Sequence, residues 1–193
     1  QAQKSVDAYQ RALELQPNNP DVLTDQGVMY RDLGQFDKAI ATLRQGAEKF
    51  PGSEAVLARL GYTYLATGRF AEALATMNQV LDRNPRNVNA LTAAASALES
   101  LGRKSEVRAY LEKAIALEPE SKFLRVCLAK NLASVGKLGE AFEVYEALVK
   151  DYPRDADLHE QVGVAYGVLG DYPNAIKHLE QAVAIRPTPT DYM

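Results

Sequence analysis

Apolar residues return along this chain at helical spacing. Leu57, Leu60, Gly61 and Tyr64 fall at i, i+3, i+4 and i+7, one face of an α-helix. After Gly68, a second stripe of the same period runs through Phe70, Ala73, Leu74, Met77 and Leu81. The pattern predicts two helices joined by a tight turn. A glycine just past a helix end takes positive φ without a Cβ penalty, so Gly68 closes the first helix. Pro85 lacks an N–H and disfavours α conformation in the residue before it, which ends the second.

This unit repeats. Pro17, Pro51, Pro85, Pro119, Pro153 and Pro187 lie 34 residues apart, as do Gly34, Gly68, Gly102, Gly136 and Gly170. Ala39, Ala73, Val107, Ala141 and Ala175 form a third column in the same register. Small residues at Gly27, Gly61, Ala95, Ala129 and Gly163 let paired helices approach, and Tyr30, Tyr64 and Tyr166 fill the space beside them. The reading is all-α: a half unit over 1–19, full units at 20–53, 54–87, 88–121, 122–155 and 156–189, and the start of a truncated unit at 190–193.

The order Leu57-x-x-Leu60-Gly61-x-x-Tyr64, then Ala73-x-x-x-Met77, then Pro85, resembles the tetratricopeptide repeat, a 34-residue helical hairpin. The resemblance covers nearly the whole chain. It implies one right-handed superhelical solenoid of antiparallel helix pairs over 1–193, its concave face lined by the first helix of each unit. The family's tryptophan column reads Leu23, Leu57, Leu91, Arg125 and His159 here. The third unit is the least typical, with Ala94, Ala95 and Leu98 where the second has Leu60, Gly61 and Tyr64. It is expected to bury less, and its amides over 92–116 to exchange faster than those of the second and fifth units. Ala12, Leu13 and Leu15 lie on an opening helix without its partner, and no polar capping helix follows Pro187. Both ends therefore read as cut from a longer protein.

Composition narrows the function. Alanine and leucine loading favours helix. Lys and Arg number 22 against 25 Asp and Glu, a near-balance that leaves no electrostatic footprint for nucleic acid. No apolar run is long enough to span a membrane, and the opening residues carry no signal core. A soluble chain is expected, in a cytoplasmic or periplasmic setting that the residues do not decide. The lone Cys127 and the two histidines, His159 and His178, read as isolated from one another: a structural thiol and two surface or junction imidazoles. His159-Glu160 opens like a zinc motif, but Gly163 stands where the second histidine belongs. Phosphate-binding glycine motifs are absent. Neither catalysis, a cofactor nor a metal is expected.

Function is then left to the groove that the resemblance implies. The carboxylate clamp of chaperone-binding members would need Lys, Arg and Asn in consecutive units, and only Arg31, Asn89 and Lys130 appear, scattered. An asparagine ladder would occupy the column that reads Asp25, Arg59, Ala93, Cys127 and Gln161. Tyr62 and Phe123 are aromatics that fall on groove-facing positions instead of packing columns. They read either as packing residues or as walls of a cradle, floored by Ala58, Leu65, Thr92, Ser96, Val126 and Ala133, with Glu99, Lys130, Glu160 and Val164 completing the partner-binding set. The expected function is a non-enzymatic protein–protein interaction module that takes a peptide or helix of a partner. The alternatives are a scaffold that self-associates through its open ends, or the recognition arm of a larger enzyme.

Overall fold

The computed structural model describes residues 11 and 19–186, so the opening helix expected at 2–16, Arg11 excepted, and the start of a unit at 190–193 lie outside the described residues. Residues 19–186 form ten α-helices, two per 34-residue unit. The first unit supplies α1 (Pro20–Asp32) and α2 (Phe36–Lys49), the second α3 (Glu54–Ala66) and α4 (Phe70–Arg83). The third supplies α5 (Val88–Ser100) and α6 (Lys104–Leu117), the fourth α7 (Lys122–Ser134) and α8 (Leu138–Asp151), and the fifth α9 (Ala156–Val168) and α10 (Tyr172–Ile185). The chain divides between Leu117 and Glu118 into two compact units. Helices α1–α6 belong to the first and α7–α10 to the second.

The turn glycines do what their column requires. Gly34, Gly68, Gly102, Gly136 and Gly170 all have positive φ, between 72° and 81°. A side chain there would be strained in open space, so replacing Gly68 by alanine should cost roughly 1–2 kcal/mol. Thermal unfolding of the variant measures it.

A second column sits at the helix starts. Asn19, Ser53, Asn87, Ser121 and Asp155 are the N-caps of α1, α3, α5, α7 and α9. All but Ser121 accept a hydrogen bond from a first-turn backbone N–H through the side chain. These caps satisfy donors that the helix cannot. The junctions are also latched. In the first compact unit Glu54 accepts from the Asn84 amide at 3.3 Å and the Asn87 amide at 2.5 Å. At the equivalent positions of the second, Lys122 pairs with Asp155 and sits 5.5 Å from the Tyr152 ring centre. The same geometry is held with the charge reversed.

The two helices of the third repeat differ, α6 burying only Val107, Leu111 and Ala114. Seven residues of α5 are buried: Ala90, Leu91, Ala93, Ala94, Ala95, Ala97 and Leu98. No other described first helix buries as many. Five of the seven are alanines, so α5 is covered along its length while each side chain buries little area. Slow amide exchange along α5 is the expectation the structure supports.

Candidate functional site

Within the second compact unit, α7, α8 and α9 enclose a pocket of about 470 Å³. Helix α7 contributes Lys130 and Ala133, α8 contributes Leu138, Ala141 and Tyr145, and α9 contributes Asp157, Glu160, Gln161, Val164, Ala165 and Val168. Helical periodicity explains the α9 set: 157, 160–161, 164–165 and 168 are one stripe. The inner wall is anchored. Tyr145 is 5% exposed and packs in one cluster with Ala129, Leu148, Leu158 and Val162. Burial, with a smaller contribution from Cys127, pushes the Tyr145 phenol up to about 12, so it stays neutral at physiological pH.

The outer wall is apolar and open. Val164 and Val168, one turn apart on α9, are 57% and 64% exposed. Charge sits at the rim, with Lys130 on α7 facing the pocket from one side and Asp157 and Glu160 on α9 from the other. Both acids draw in Arg186, which pairs with Glu160 and lies 3.7 Å from Asp157. Gln161 lines the pocket, and its side-chain oxygen is buried and accepts no hydrogen bond from any described residue. A buried acceptor left unmade is costly. A larger space of about 600 Å³ lies at the junction around Tyr152, Arg154 and Asp157, but its lining runs out at Arg186, the last described residue.

Of the groove residues read from sequence, Lys130, Ala133, Glu160 and Val164 line this one pocket. Val126 packs against the core cluster beneath it, and Phe123, on the first turn of α7, is 62% exposed. The other six lie in the first compact unit: Ala58, Tyr62 and Leu65 half-buried on α3, with Thr92 half-buried and Ser96 and Glu99 exposed on α5, which packs against α3. Burial raises the Tyr62 phenol above its usual range, and Arg59 opposes this. Thr92 spends its hydroxyl on the Val88 carbonyl at 2.8 Å. Leu138, Ala141 and Tyr145 escaped the reading because they belong to a second helix, whereas the groove was assigned to first helices alone.

The histidines need a correction. They are not isolated surface groups: His159 and His178 share the fifth repeat, are 3% and 8% exposed, and bring their Nδ1 atoms within 3.1 Å. Two helices packed face to face join positions whose sequence separation hid them. Among the described residues, no three His, Cys, Asp or Glu side chains gather as a metal site would need. No helix among them is long and apolar enough to cross a membrane.

Family models described as tetratricopeptide repeat match residues 8–41, 30–98, 64–127 and 128–191. The chain belongs to the tetratricopeptide repeat family. Solved structures of the same fold include MamA, with a TM-score of 0.81 at 24% identity over 90% of this chain and 94% of that one. YrrB, described as a tetratricopeptide repeat protein with an unusual peptide-binding site, has a TM-score of 0.78 at 20% identity over 96% and 95% of the two chains. A tetratricopeptide repeat protein from Parabacteroides merdae gives 0.79 at 20% over 97% and 75%. No curated protein matches. At these identities the likeness shows the fold, a solenoid of tetratricopeptide hairpins.

Proposed function

We propose that this tetratricopeptide repeat protein is a non-enzymatic interaction scaffold whose fourth and fifth repeats bind a peptide or helix of a partner protein. The observation that carries the reading is the pocket between α7, α8 and α9: an anchored aromatic wall and exposed valines in one concavity. An apolar side chain of the ligand fills it, and Lys or Arg beside it meets Asp157 and Glu160. Phe123 and Tyr62 supply further contacts in their own compact units. Burying apolar area gains on the order of 25 cal/mol per Å², and ordering costs offset much of it, so affinity near micromolar is expected. The peptide-binding description of YrrB agrees with this reading.

Peptides selected from a displayed library on the full chain should share an apolar residue flanked by Lys or Arg. Val164→Lys should weaken their binding about tenfold or more with little change in melting temperature, because Val164 lies on the surface. Selected peptides that ignore this substitution would place the site elsewhere.

A second reading has its own observation. Helix α10 exposes Tyr172, Ile176, Leu179 and Val183, an apolar stripe at helical spacing. It favours association with another repeat or a second copy. Light scattering across concentration, with Ile176→Glu expected to abolish any self-association, tests that alternative.

A further inference from the structure

The buried polar cluster of the fifth repeat has no part in the groove, and its geometry dictates where each proton sits. His159 Nε2 lies 3.1 Å from the Pro153 carbonyl, which can only accept. That nitrogen therefore carries the hydrogen, and neutral His159 presents a bare Nδ1. The His178 Nδ1, 3.1 Å away, must then donate to it. Neutral His178 is left with a bare Nε2, which points at Glu146 on α8, 3.7 Å from Oε1. That same carboxylate oxygen already accepts the Tyr166 hydroxyl at 3.2 Å, and the Tyr166 ring stacks on His178 at 5.5 Å between centres. The chain of donors runs one way, from His178 to His159 to the backbone before α9.

We propose that the His159–His178 pair is a proton-sensitive latch between α9 and α10, closed while at least one of the facing Nδ1 atoms is bare and released when both carry hydrogen. One proton on the pair leaves the bond intact, because His178 can carry its hydrogen on Nε2 towards Glu146 and accept from His159; a second sets one N–H against another across 3.1 Å and destroys it. That second proton also adds a further cation to a site from which water is nearly excluded. The groups that face it are Glu146 from α8, His159 and Tyr166 from α9, and Lys177 from its own helix. Burial holds the His178 imidazole below the ordinary histidine range; Glu146 opposes this, and His159 and Lys177 add to it.

The sign of the pH effect follows. The folded His178 binds its proton more weakly than the unfolded chain does, so the latch's contribution is complete above about pH 6.5. It is lost as pH falls from there towards the lowered folded value. Over that window the opening constant of the fifth repeat should rise by up to about tenfold per pH unit for each proton taken up.

The test is a histidine titration of the full chain by NMR, beside amide exchange corrected for its intrinsic pH dependence. His178 should protonate below the ordinary range, and amides of 156–186 should lose protection relative to those of 54–83 on going from about pH 7.5 to about pH 5. Glu146→Gln removes the opposing carboxylate and should move the His178 titration further down, a shift that packing alone would not produce. A His159→Phe, His178→Phe double variant should show no such relative loss. A His178 titration at or above the ordinary value, or protection of 156–186 that tracks 54–83 at every pH, would overturn the latch. The wild-type measurements decide it even where the double variant does not fold.

Discussion

Truncating Leu43 to alanine is expected to cost about 2–5 kcal/mol, and distinctly less when Gly27 is alanine as well. Leu43 is wholly buried on α2, and its Cγ would lie 2.5 Å from a Cβ built on Gly27 of α1. The leucine therefore fills the place a side chain at 27 would take. Gly27→Ala alone gains up to about 1 kcal/mol of helix propensity but forces a branched, enclosed side chain to move, costing roughly 1–3 kcal/mol. The net is a loss. In the double variant the new methyl occupies part of the cavity that Leu43→Ala leaves, so the two changes should offset one another by about 1 kcal/mol or more. Denaturant melts of the four proteins measure the coupling. Strict additivity would mean that the two helices do not meet as they do here. The same cycle at Gly61 and Met77 should couple less, because the nearest atom, at 2.6 Å, is the free end of a flexible methionine.

That pair shows what was legible in the sequence. Gly27, Gly61 and Gly163 lie 16 residues before Leu43, Met77 and Leu179, and each glycine is packed on the side chain that follows it. Column by column, spacing of 34 identifies the helices, their glycine turns and their close approaches, because every unit solves one packing problem with one set of positions. The N-cap column at 19, 53, 87, 121 and 155 was equally open to reading, since every member is Asn, Ser or Asp. Features that break the repeat are harder. The histidine pair joins two positions that are not equivalent in successive units, so no column shows it. The uneven burial within the third repeat, seven residues on α5 against three on α6, is set by which faces the neighbouring helices cover, which residue volume does not show. The candidate pocket was half visible: Lys130, Ala133, Glu160 and Val164 follow from the first-helix stripe, whereas Tyr145 comes from the second-helix column.

Among the five full units, Tyr145 is the one aromatic in the column that reads Leu43, Met77, Leu111, Tyr145 and Leu179. It stands over Ala129 as the other large residues stand over their small partners, and it also walls the pocket. Tyr145→Ala should cost about 3–5 kcal/mol, by analogy with the truncation of other buried aromatics. Against a whole-domain stability of about 5–15 kcal/mol, that would leave the α7–α10 unit marginal. Tyr145→Phe keeps the ring and separates packing from the phenol. The folded phenol titrates near 12, while the unfolded one loses its proton near pH 10. An acid whose folded value is raised keeps its full contribution below the unfolded value, and that contribution falls as pH rises from about 10 towards 12. Wild-type protein should thus lose stability across that window more steeply than Tyr145→Phe, with the two alike at neutral pH apart from any effect of the lost hydroxyl. Absorbance near the phenolate band follows the ionisation, and helical ellipticity follows the fold. Equal alkaline slopes in the two proteins would show that the Tyr145 hydroxyl reaches water, opening to solvent the wall of the pocket that a ligand's apolar side chain is meant to find dry.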